Sequence, residues 1–442
     1  MTGAVQPLRV AIAGLGTVGA GLLRLLAQNR SVIEARAGRG IEVVAVSARD
    51  RTRDRGVDLS GYDWHDDMAE LAARADVDLV IELVGGADGP ALALARRALG
   101  AGKGVVTANK AMIAHHGDEL ARLAEAQAAP LRFEAAVAGG IPVLKGLREG
   151  AAANAIERVY GILNGTCNYI LTAMESSGAD FGATLADAQR LGFAEADPAF
   201  DIDGVDAAHK LAILAALSFG SRIDFGSVEV DGIRRVRAAD IAQADALGYV
   251  VRLIGVADIE QGDGQPRLLQ RVRPCLVAKD HPLAPIDGPT NAVVAEGNFS
   301  GRLLFQGAGA GDGPTASAVM ADVIDLARMP PGSAPGAPFS VPAAMLQALP
   351  KADSGARESR SYIRFMVADR PGVLAEITAA MRDAGVSIQS LIQEGEANGN
   401  DGVLVAMVTH TGPVRCVREA VAMLEGSESL VDEPLVMPIL RS

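Results

Sequence analysis

Apolar positions in the first third of the chain form short continuous runs, separated by longer stretches with helical spacing. The short runs predict strands at residues 8–13, 41–47, 77–84, 104–108 and 131–136. The longer stretches predict helices at residues 18–29, 90–100 and 111–128. Strands that alternate with helices are typical of a doubly wound parallel sheet, so residues 1–136 are predicted to form an α/β domain.

The pattern changes near residue 137. Strands are then predicted at residues 156–163, 248–257, 268–276, 291–295 and 302–305, and helices at 168–177, 184–191 and 204–219. This mixture predicts an α+β domain over residues 137–313. A further helix near residues 314–328 is expected to return to the first domain and complete it.

Residues 329–342 are rich in Pro, Gly, Ser and Ala, which favours a linker without packed structure, although a long surface loop has the same signature. We place the linker at residues 329–360. A third domain follows at residues 361–442, with predicted strands at 362–367, 386–393, 402–409 and 435–440 and helices at 371–384 and 414–424. The order βαββαβ is typical of a ferredoxin-like antiparallel sheet with two helices on one face.

Composition narrows the range of functions. The chain has 442 residues, a net charge of −13 and 49% hydrophobic residues, which suits several folded domains. Its acidity argues against a nucleic-acid partner, since negative surfaces repel phosphate backbones. No membrane span or signal peptide is recognisable. Cys167, Cys275 and Cys416 have neither metal-ligand nor disulfide-framework spacing, so we expect a cytoplasmic protein.

A glycine motif follows the first predicted strand and opens the first helix. It is Gly14-Leu15-Gly16-Thr17-Val18-Gly19. The first glycine permits a tight turn, the second lets the backbone approach a pyrophosphate, and the third lets helix and strand pack closely. In this strand–turn–helix setting the motif predicts a Rossmann dinucleotide site rather than a purely structural glycine turn.

Residues after the second strand should discriminate NADP from NAD. Arg49 is suited to neutralise the 2′-phosphate of NADP, with Arg51 or Arg53 as helpers, whereas an acidic residue such as Asp50 is suited to the ribose hydroxyl of NAD. The same residues also fit a solvated run of charges. We favour NADP and keep NAD as the alternative.

Carboxylates are densest just before the helix predicted at residues 204–219. Five acidic residues lead to Lys210, namely Glu195, Asp197, Asp201, Asp203 and Asp206. Asp206 and Lys210 are four residues apart and share one helix face, a spacing that is also common in surface pairs. The apolar run at residues 211–217 favours a buried helix, and a buried lysine beside carboxylates is suited to general acid–base chemistry.

Other segments carry weaker signals, each with a structural alternative. Lys110 follows a strand and is placed to reach a ligand, or equally to cap a surface turn. Cys167 stands at a helix start, where a thiol becomes acidic, but we prefer its interpretation as a small buried residue. Small residues at 134–142 expose carbonyl groups that suit a hard cation, or form a hinge-like turn. The glycine loop at residues 307–311 either covers the cofactor or reverses the chain.

Six motifs in one order resemble the homoserine dehydrogenase family. They are GLGTVG, VTANKA, FEAAVAGGIP, GILNGTCNYIL, GFAEADPAFDIDGVDAAHKLAIL and GAGAGDGPTASAV, which lie between residues 10 and 327. The resemblance implies reversible, NAD(P)-dependent reduction of L-aspartate 4-semialdehyde to L-homoserine, on the route to threonine, isoleucine and methionine. The middle domain would then serve catalysis and dimerisation.

The resemblance also implies roles for residues that match these motifs. Lys210 would donate and accept the proton, with Asp206 beside it to orient it. The implied substrate-binding residues are Glu195, Asp201 and Lys110. The implied cofactor contacts are Leu15, Thr17, Val18, Lys110 and Gly311, in addition to Gly14, Gly16, Gly19 and Arg49 from the pattern above. A monovalent cation, Na⁺, is implied at Glu134, Val137, Gly139 and Ile141, with backbone oxygens from the latter three.

The C-terminal segment resembles an ACT domain. The resemblance rests on its first strand, on Asp369-Arg370-Pro371-Gly372-Val373-Leu374 and on Val386-Ser387-Ile388. Such domains bind amino acids at paired interfaces, which implies an effector, expected to be threonine, and a homodimer or homotetramer. We expect the monofunctional form, because no aspartokinase segment precedes the first predicted strand. Two alternatives are an acylating semialdehyde dehydrogenase with Cys167 as nucleophile and a non-catalytic sensor of nucleotide and amino acid.

Overall fold

The first sheet is parallel and covered by helices, in a computed structural model that describes residues 6–261, 264–330, 333–394 and 402–441. Its elements are β1 (Leu8–Ala13), α1 (Thr17–Gln28), α2 (Arg30–Ala37), β2 (Ile41–Ser47), β3 (Asp63–His65), α3 (Ala69–Ala73), β4 (Leu79–Glu82), α4 (Pro90–Gly100), β5 (Gly104–Thr107), α5 (Lys110–Ala126) and β6 (Leu131–Arg132). The strand order is β3-β2-β1-β4-β5-β6. It reverses between β1 and β4, where dinucleotides bind in such sheets.

The last strand of this sheet is shorter than the sequence pattern indicates. Pairing with β5 ends at Arg132, and Glu134–Ala136 form a 3₁₀ turn. The backbone N–H of Glu134 donates to the carboxylate of Asp322 at 2.9 Å instead of to a neighbouring strand. The prediction of a strand through residue 136 is therefore wrong, because a distant side chain competes for this backbone and no local pattern reveals it.

The second domain contains a mixed six-stranded sheet with the order β12-β11-β7-β9-β10-β8. Its elements are α6 (Val143–Lys145), β7 (Ile156–Ile162), α7 (Gly165–Ser177), α8 (Phe181–Arg190), α9 (Ala199–Ile202), α10 (Val205–Phe219), β8 (Glu229–Val230), α11 (Ala238–Ala246), β9 (Tyr249–Glu260), β10 (Arg267–Ala278), β11 (Thr290–Gly297), β12 (Gly301–Ala308) and α12 (Asp312–Arg328).

Two helices of this domain bring the functional segments together. α10 lies across the sheet, and Leu211 and Leu214 share one apolar core with Val159 of β7. α12 returns to the first domain, where Val319 packs in one apolar cluster with Leu22 of α1. Because burial of these apolar side chains stabilises both contacts, the end of β1 and the start of α10 are held on opposite sides of one crevice.

The third domain is a four-stranded antiparallel sheet with the order β15-β16-β14-β18. Its elements are β13 (Glu358–Ser359), β14 (Ser361–Val367), α13 (Val373–Asp383), β15 (Ile388–Glu394), β16 (Val403–Thr409), β17 (Gly412–Pro413), α14 (Val414–Met423) and β18 (Leu435–Pro438). Along β14, Ile363 and Phe365 pack under the two helices, whereas Tyr362 and Arg364 face the second domain. The two-residue period of a strand produces this division into two faces.

Asp240 of α11 fixes the face that meets the second domain. One of its carboxylate oxygens accepts from the Tyr362 hydroxyl at 3.0 Å, and the other pairs with the Arg364 guanidinium. Arg364 also donates to the carbonyl oxygen of Arg235 at 3.1 Å. Asp240 and Arg364 are 0% and 1% exposed. Each charge therefore relies on protein partners instead of water.

The segment between the second and third domains contains no helix or strand over residues 333–342, yet it is packed. Phe339 is 1% exposed, and its ring centroid lies 5.3 Å from that of Phe133. One aromatic side chain therefore anchors a stretch of otherwise small residues that forms neither helix nor strand. Within the described ranges, no helix is long and apolar enough to cross a membrane.

Candidate active site

A cleft of about 1080 Å³ opens where the first two domains meet. Val18 near the start of α1 and Lys110 at the start of α5 contribute to one wall, and Asp206 and Lys210 of α10 contribute to the other. The cleft therefore lies at the carboxyl ends of the parallel strands, as expected for a dinucleotide-binding sheet. It also brings the glycine motif next to the acidic segment.

Lys210 lines the cleft although it is only 7% exposed. Its Nζ donates to Asp206 Oδ2 at 2.7 Å and to the carbonyl oxygen of Leu163 at 2.8 Å. α10 begins at Val205, so Asp206 and Lys210 occupy successive turns of the same helix face. An ammonium has three N–H groups. Two are held by the protein, which leaves the third for a ligand.

Asp206 bridges two lysines. Its Oδ1 lies 2.8 Å from Lys110 Nζ, and its Oδ2 lies 2.7 Å from Lys210 Nζ. Burial alone would raise the pKa of Asp206, but the two ammonium groups outweigh it and hold this pKa well below its usual value. Burial opposes the charge of Lys110 as well, yet Asp206 outweighs it and raises the pKa of Lys110. Asp206 and Lys110 are therefore charged at neutral pH.

Asn164 organises the carboxylates from the N-terminus of α7. Its Oδ1 accepts the Cys167 N–H at 2.8 Å, and its Nδ2 donates to Asp201 at 2.7 Å and to Asp206 at 2.8 Å. Burial and the charge of Asp206 raise the pKa of Asp201. Asn164 was expected to offer hydrogen bonds at a helix start, but it was not among the predicted catalytic or binding residues. The available signal is an asparagine at a helix start, where such side chains cap the backbone.

The acid-rich segment before α9 forms the outer rim of the cleft. Glu195 and Asp201 both line it, and Glu195 is exposed. Gln189 holds the carbonyl oxygen of Glu195 at 3.0 Å. The structure thus brings the predicted substrate residues Glu195, Asp201 and Lys110 to one cleft. Asp203 does not join them, because it pairs with Arg234.

An aromatic stack borders the charged groups and was not predicted. His209 stacks on Phe225 with ring centroids 4.3 Å apart, and Phe200 lies on its other side at 5.5 Å. Lys110 Nζ lies 5.8 Å from the centroid of the Phe200 ring, within range of a cation–π contact. Burial lowers the pKa of His209 to about 4, so this histidine is neutral at physiological pH. Its packing between aromatic rings indicates a structural role.

The glycine motif forms a cradle that fits an anion. Gly14 has φ +97°, and a Cβ there would lie 2.6 Å from the carbonyl oxygen of Leu83, while a Cβ at Gly19 would overlap the carbonyl of Gly14. The Cβ position of Gly16, by contrast, has nothing within 4 Å. α1 also has no capping side chain and no acidic residue in its first turn. Its free N–H groups therefore suit the pyrophosphate of a dinucleotide.

The remaining predicted cofactor residues surround this cradle. Val18, Lys110 and Gly311 line the cleft, and Gly311 has φ +113° at the start of α12. Leu15 is buried, whereas Thr17 is exposed in the first turn of α1. These positions place backbone and small side chains, rather than bulky groups, along the predicted path of the cofactor.

The charged residues after β2 differ in whether they already have protein partners. Arg49 is exposed and forms no ion pair within the described residues. The carboxylate of Asp50 accepts from the hydroxyl and N–H of Thr52 at 2.7 and 2.8 Å, and these bonds lower its pKa. Arg55 donates to the carbonyl oxygen of Leu15 at 2.9 Å, a contact with the glycine motif that no local sequence signal reveals. Asp50 is thus engaged in its own turn.

The predicted cation residues lie at the junction of the first two domains. Ala138 and Gly139 have φ values of 56° and 54°, which turns successive carbonyl groups. The buried carboxylate of Glu134 accepts hydrogen bonds from the N–H groups of Leu144 at 2.9 Å and Lys145 at 2.8 Å. Burial and the charge of Asp322 raise the pKa of Glu134 to about 7. No three acidic, histidine or cysteine side chains of the described residues are arranged to hold a metal. A cation here would depend mainly on main-chain oxygens.

Cys167 is unsuited to be a nucleophile. It is fully buried, and its Sγ donates to the carbonyl oxygen of Asp201 at 3.2 Å. Burial and the charge of Asp201 raise the pKa of its thiol. Desolvation thus opposes the effect of the helix start, and these surroundings favour the protonated thiol over a reactive thiolate. Cys167 acts as a small buried residue.

Three family models match the chain in the same order as its sheets. A model described as "Homoserine dehydrogenase, NAD binding domain" matches residues 14–134. A model described as "Homoserine dehydrogenase" matches residues 142–324, and an ACT domain model matches residues 361–415.

Known proteins match over nearly the full chain. A homoserine dehydrogenase of Pseudomonas aeruginosa is 42% identical over 98% of both chains. The crystal structure of a homoserine dehydrogenase from Thiobacillus denitrificans superposes with a TM-score of 0.91 at 38% identity, over 99% of both chains. A hyperthermophilic archaeal homoserine dehydrogenase in complex with NADPH is 28% identical, with a TM-score of 0.62 over 74% of this chain and 99% of its own. The predicted architecture of a Rossmann domain, a catalytic α+β domain and a C-terminal ACT domain is confirmed.

Proposed function

The chain belongs to the homoserine dehydrogenase family of oxidoreductases, and we propose that its cleft interconverts L-aspartate 4-semialdehyde and L-homoserine with Lys210 as the proton donor and acceptor. The observation that carries the residue assignment is the setting of Lys210. Its ammonium is buried and fixed by two acceptors, and its third N–H is left for a ligand in a cleft that also contains the glycine motif.

Lys210 moves the proton in both directions. During reduction it donates a proton to the substrate oxygen, and during oxidation it accepts the proton of the hydroxyl group. A bound nicotinamide supplies or accepts the hydride. Asp206 and the carbonyl of Leu163 hold Nζ in place, so the ammonium stabilises negative charge on the substrate oxygen without first reorganising.

Glu195, Asp201 and Lys110 bind the amino-acid portion of the substrate. The two carboxylates suit its ammonium group, and Lys110 suits a carboxylate or the cofactor. Asn164 supports this arrangement, since its Nδ2 donates to both Asp201 and Asp206 and so fixes the two carboxylates relative to each other.

An absorbance assay at the reduced-nicotinamide band tests the reaction. Homoserine with NADP or NAD should produce reduced cofactor, and the product aldehyde should consume it. A protein that binds both ligands without turnover would support the non-catalytic sensor instead.

NADP is the proposed preferred cofactor. The support is Arg49, which is exposed and forms no ion pair with the described residues, together with Asp50, whose carboxylate is engaged by Thr52. A related archaeal enzyme was crystallised with NADPH. Comparison of kcat/KM for the two cofactors tests the preference, and a higher value with NAD would overturn it.

A monovalent cation, Na⁺, is proposed at the turn of Glu134, Val137, Gly139 and Ile141. The support is the consecutive positive φ values in this turn, which suit carbonyl coordination. Activity measured in NaCl, KCl and choline chloride at constant ionic strength tests the proposal. Equal rates in all three salts would reject a cation requirement.

Threonine feedback through the ACT domain is the proposed regulation. A cavity of about 170 Å³ lies at the turn into α13 and is lined by Val367, Gln393 and residues 368–374. Arg235 connects this domain to the second domain, since its guanidinium donates to the carbonyl of Pro434 at 2.6 Å and its neighbour Arg234 pairs with Asp203, which follows α9. Threonine should inhibit turnover, and Arg235→Ala should weaken inhibition more than it changes uninhibited turnover.

A homodimer or homotetramer is the proposed assembly, and the cytoplasm the proposed location. β12 is an edge strand of its sheet with Leu304 exposed, which offers a surface for a second copy. The three cysteines are unpaired, as suits a reducing compartment. Sedimentation of the purified protein tests the assembly, and a monomer would contradict it.

A further inference from the structure

The side-chain amide of Asn291 is buried and has no hydrogen-bond partner in the part of the chain that the structure describes. Asn291 is the second residue of β11 and is 0% exposed. Among the described residues, neither its Oδ1 nor its Nδ2 finds a partner. The nearby buried Asn168 differs, because its Nδ2 donates to the carbonyl oxygens of Ile286 and Gly288 at 3.0 Å. A fully unpaired buried amide costs free energy, and such a group in a native fold calls for an explanation.

The amide lies directly against the glycine loop that lines the cleft. The backbone of Asn291 pairs with Gly307, and a Cβ built on Gly309 would overlap the Asn291 side chain. The loop also contacts the turn that contains Gly139. A Cβ built on Gly139 would lie 2.5 Å from the carbonyl carbon and oxygen of Gly309. The Gly309 residue therefore lies between the Asn291 side chain and Gly139, in close approach to both.

We propose that Asn291 is a positioning residue that sets the place of the glycine loop at residues 307–311 when the nicotinamide dinucleotide binds. A small displacement of the Gly309 peptide brings its N–H or C=O into hydrogen-bond geometry with the Asn291 amide, which then has a partner. The free energy lost to the unpaired amide in the free protein is therefore regained when the cofactor binds. This inference rests on the proposed cofactor role of the loop, which also carries Gly311.

The first test compares two variants that each lose one buried amide. Asn291→Ala removes unpaired groups, so the unfolding midpoint of the cofactor-free protein should stay the same or rise. Its Kd for NADPH, measured by nicotinamide fluorescence, should weaken about tenfold, the factor expected for one hydrogen bond. The KM for cofactor should rise with it, while kcat at saturating cofactor stays within twofold. Asn168→Ala, the matched control, should lower the midpoint and leave the Kd unchanged.

A lowered midpoint with an unchanged Kd in Asn291→Ala would overturn the inference and leave the proposed function intact. If the wild-type protein binds neither NADPH nor NADH, the proposed function fails and the inference fails with it.

A second test uses Gly309→Ala and the double variant, so it does not rest on Asn291→Ala alone. Gly309→Ala should weaken cofactor binding more strongly, because the new Cβ collides with the amide. In the double variant the space left by Asn291→Ala accepts the methyl group, so binding should be no weaker than in Asn291→Ala. Losses that simply add in the double variant would show that the loop and the amide act independently, against the inference.

Discussion

Two networks of buried charge serve different purposes in this chain. In the cleft, Asp206 lies between Lys110 and Lys210, and beneath the ACT domain Asp240 lies between Arg364 and Tyr362. Both aspartates are almost completely buried. The side chain of Lys110 is 35% exposed and that of Arg364 only 1%, so the cation that reaches solvent belongs to the cleft.

The choice of cation follows the surroundings. Lysine can release a proton when its environment changes, whereas arginine keeps its charge and offers several donors in a fixed plane. The open network uses lysines, as the proposed proton transfer requires. The closed network uses arginine, which holds two domains together without taking part in chemistry. Burial of a charge by itself therefore does not identify an active site. The features that point to one are access to a cleft and a group that can release a proton.

The largest expected effect is on catalytic activity, which should depend on the cleft network. Lys210→Ala should lower kcat by about 10²–10⁴-fold, the usual contribution of a positioned acid–base group, while NADPH still binds. Steady-state assays and fluorescence titration measure the two quantities. Lys279→Ala, which removes an exposed lysine paired with Asp245, is the control and should keep full activity. Turnover near the wild-type value in Lys210→Ala would reject the assignment.

The next effect is on the free energy of unfolding, which should depend on the Asp240 network. Asp240→Ala leaves the Arg364 guanidinium buried without its carboxylate and should cost about 3–5 kcal/mol in the free energy of unfolding. Urea unfolding measures this cost, and kcat of the folded variant should change little. Asp383→Ala removes only an exposed partner of Arg382 and should cost less than about 1 kcal/mol. Similar costs for both variants would mean that the Asp240 network does not hold the domains.

The cleft network should instead reveal itself through pH. The pKa of Asp206 is lowered in the folded state, so its ionised form adds stability above the unfolded-state value of about 3.9 and this stability is lost as the pH falls. Asp206→Asn should therefore be less stable than wild type at pH 7, and the difference should shrink from about pH 5 downwards. Urea unfolding at pH 7, 5 and 4 checks this. A difference that does not depend on pH would contradict the lowered pKa.

The smallest effect concerns a charge outside both networks. Arg49→Ala should weaken NADPH binding about tenfold by removing one charged contact with the 2′-phosphate, and should leave NADH binding unchanged. Arg96→Ala, which removes an exposed arginine paired with Glu119, is the control. Equal weakening of NADPH and NADH would show that Arg49 does not read the phosphate.

The sequence predicted what is local and missed what depends on distant partners. The glycine motif and the i,i+4 pair of Asp206 and Lys210 were visible because each lies within a few residues of one element. Asn291 and Arg55 were not, since their contacts with Gly309 and Leu15 arise only after the chain has folded. The same reason explains the shortened strand β6, whose end is fixed by Asp322 of α12.

Chemical rescue of Lys210→Ala by added primary amines tests the central claim most directly. Small amines can enter the space left by the lysine side chain and carry out its proton transfer. Turnover of the variant should rise with amine concentration and should vary systematically with the pKa of the amine. Turnover that responds to neither the concentration nor the pKa of the amine would contradict a role for Lys210 in moving the proton.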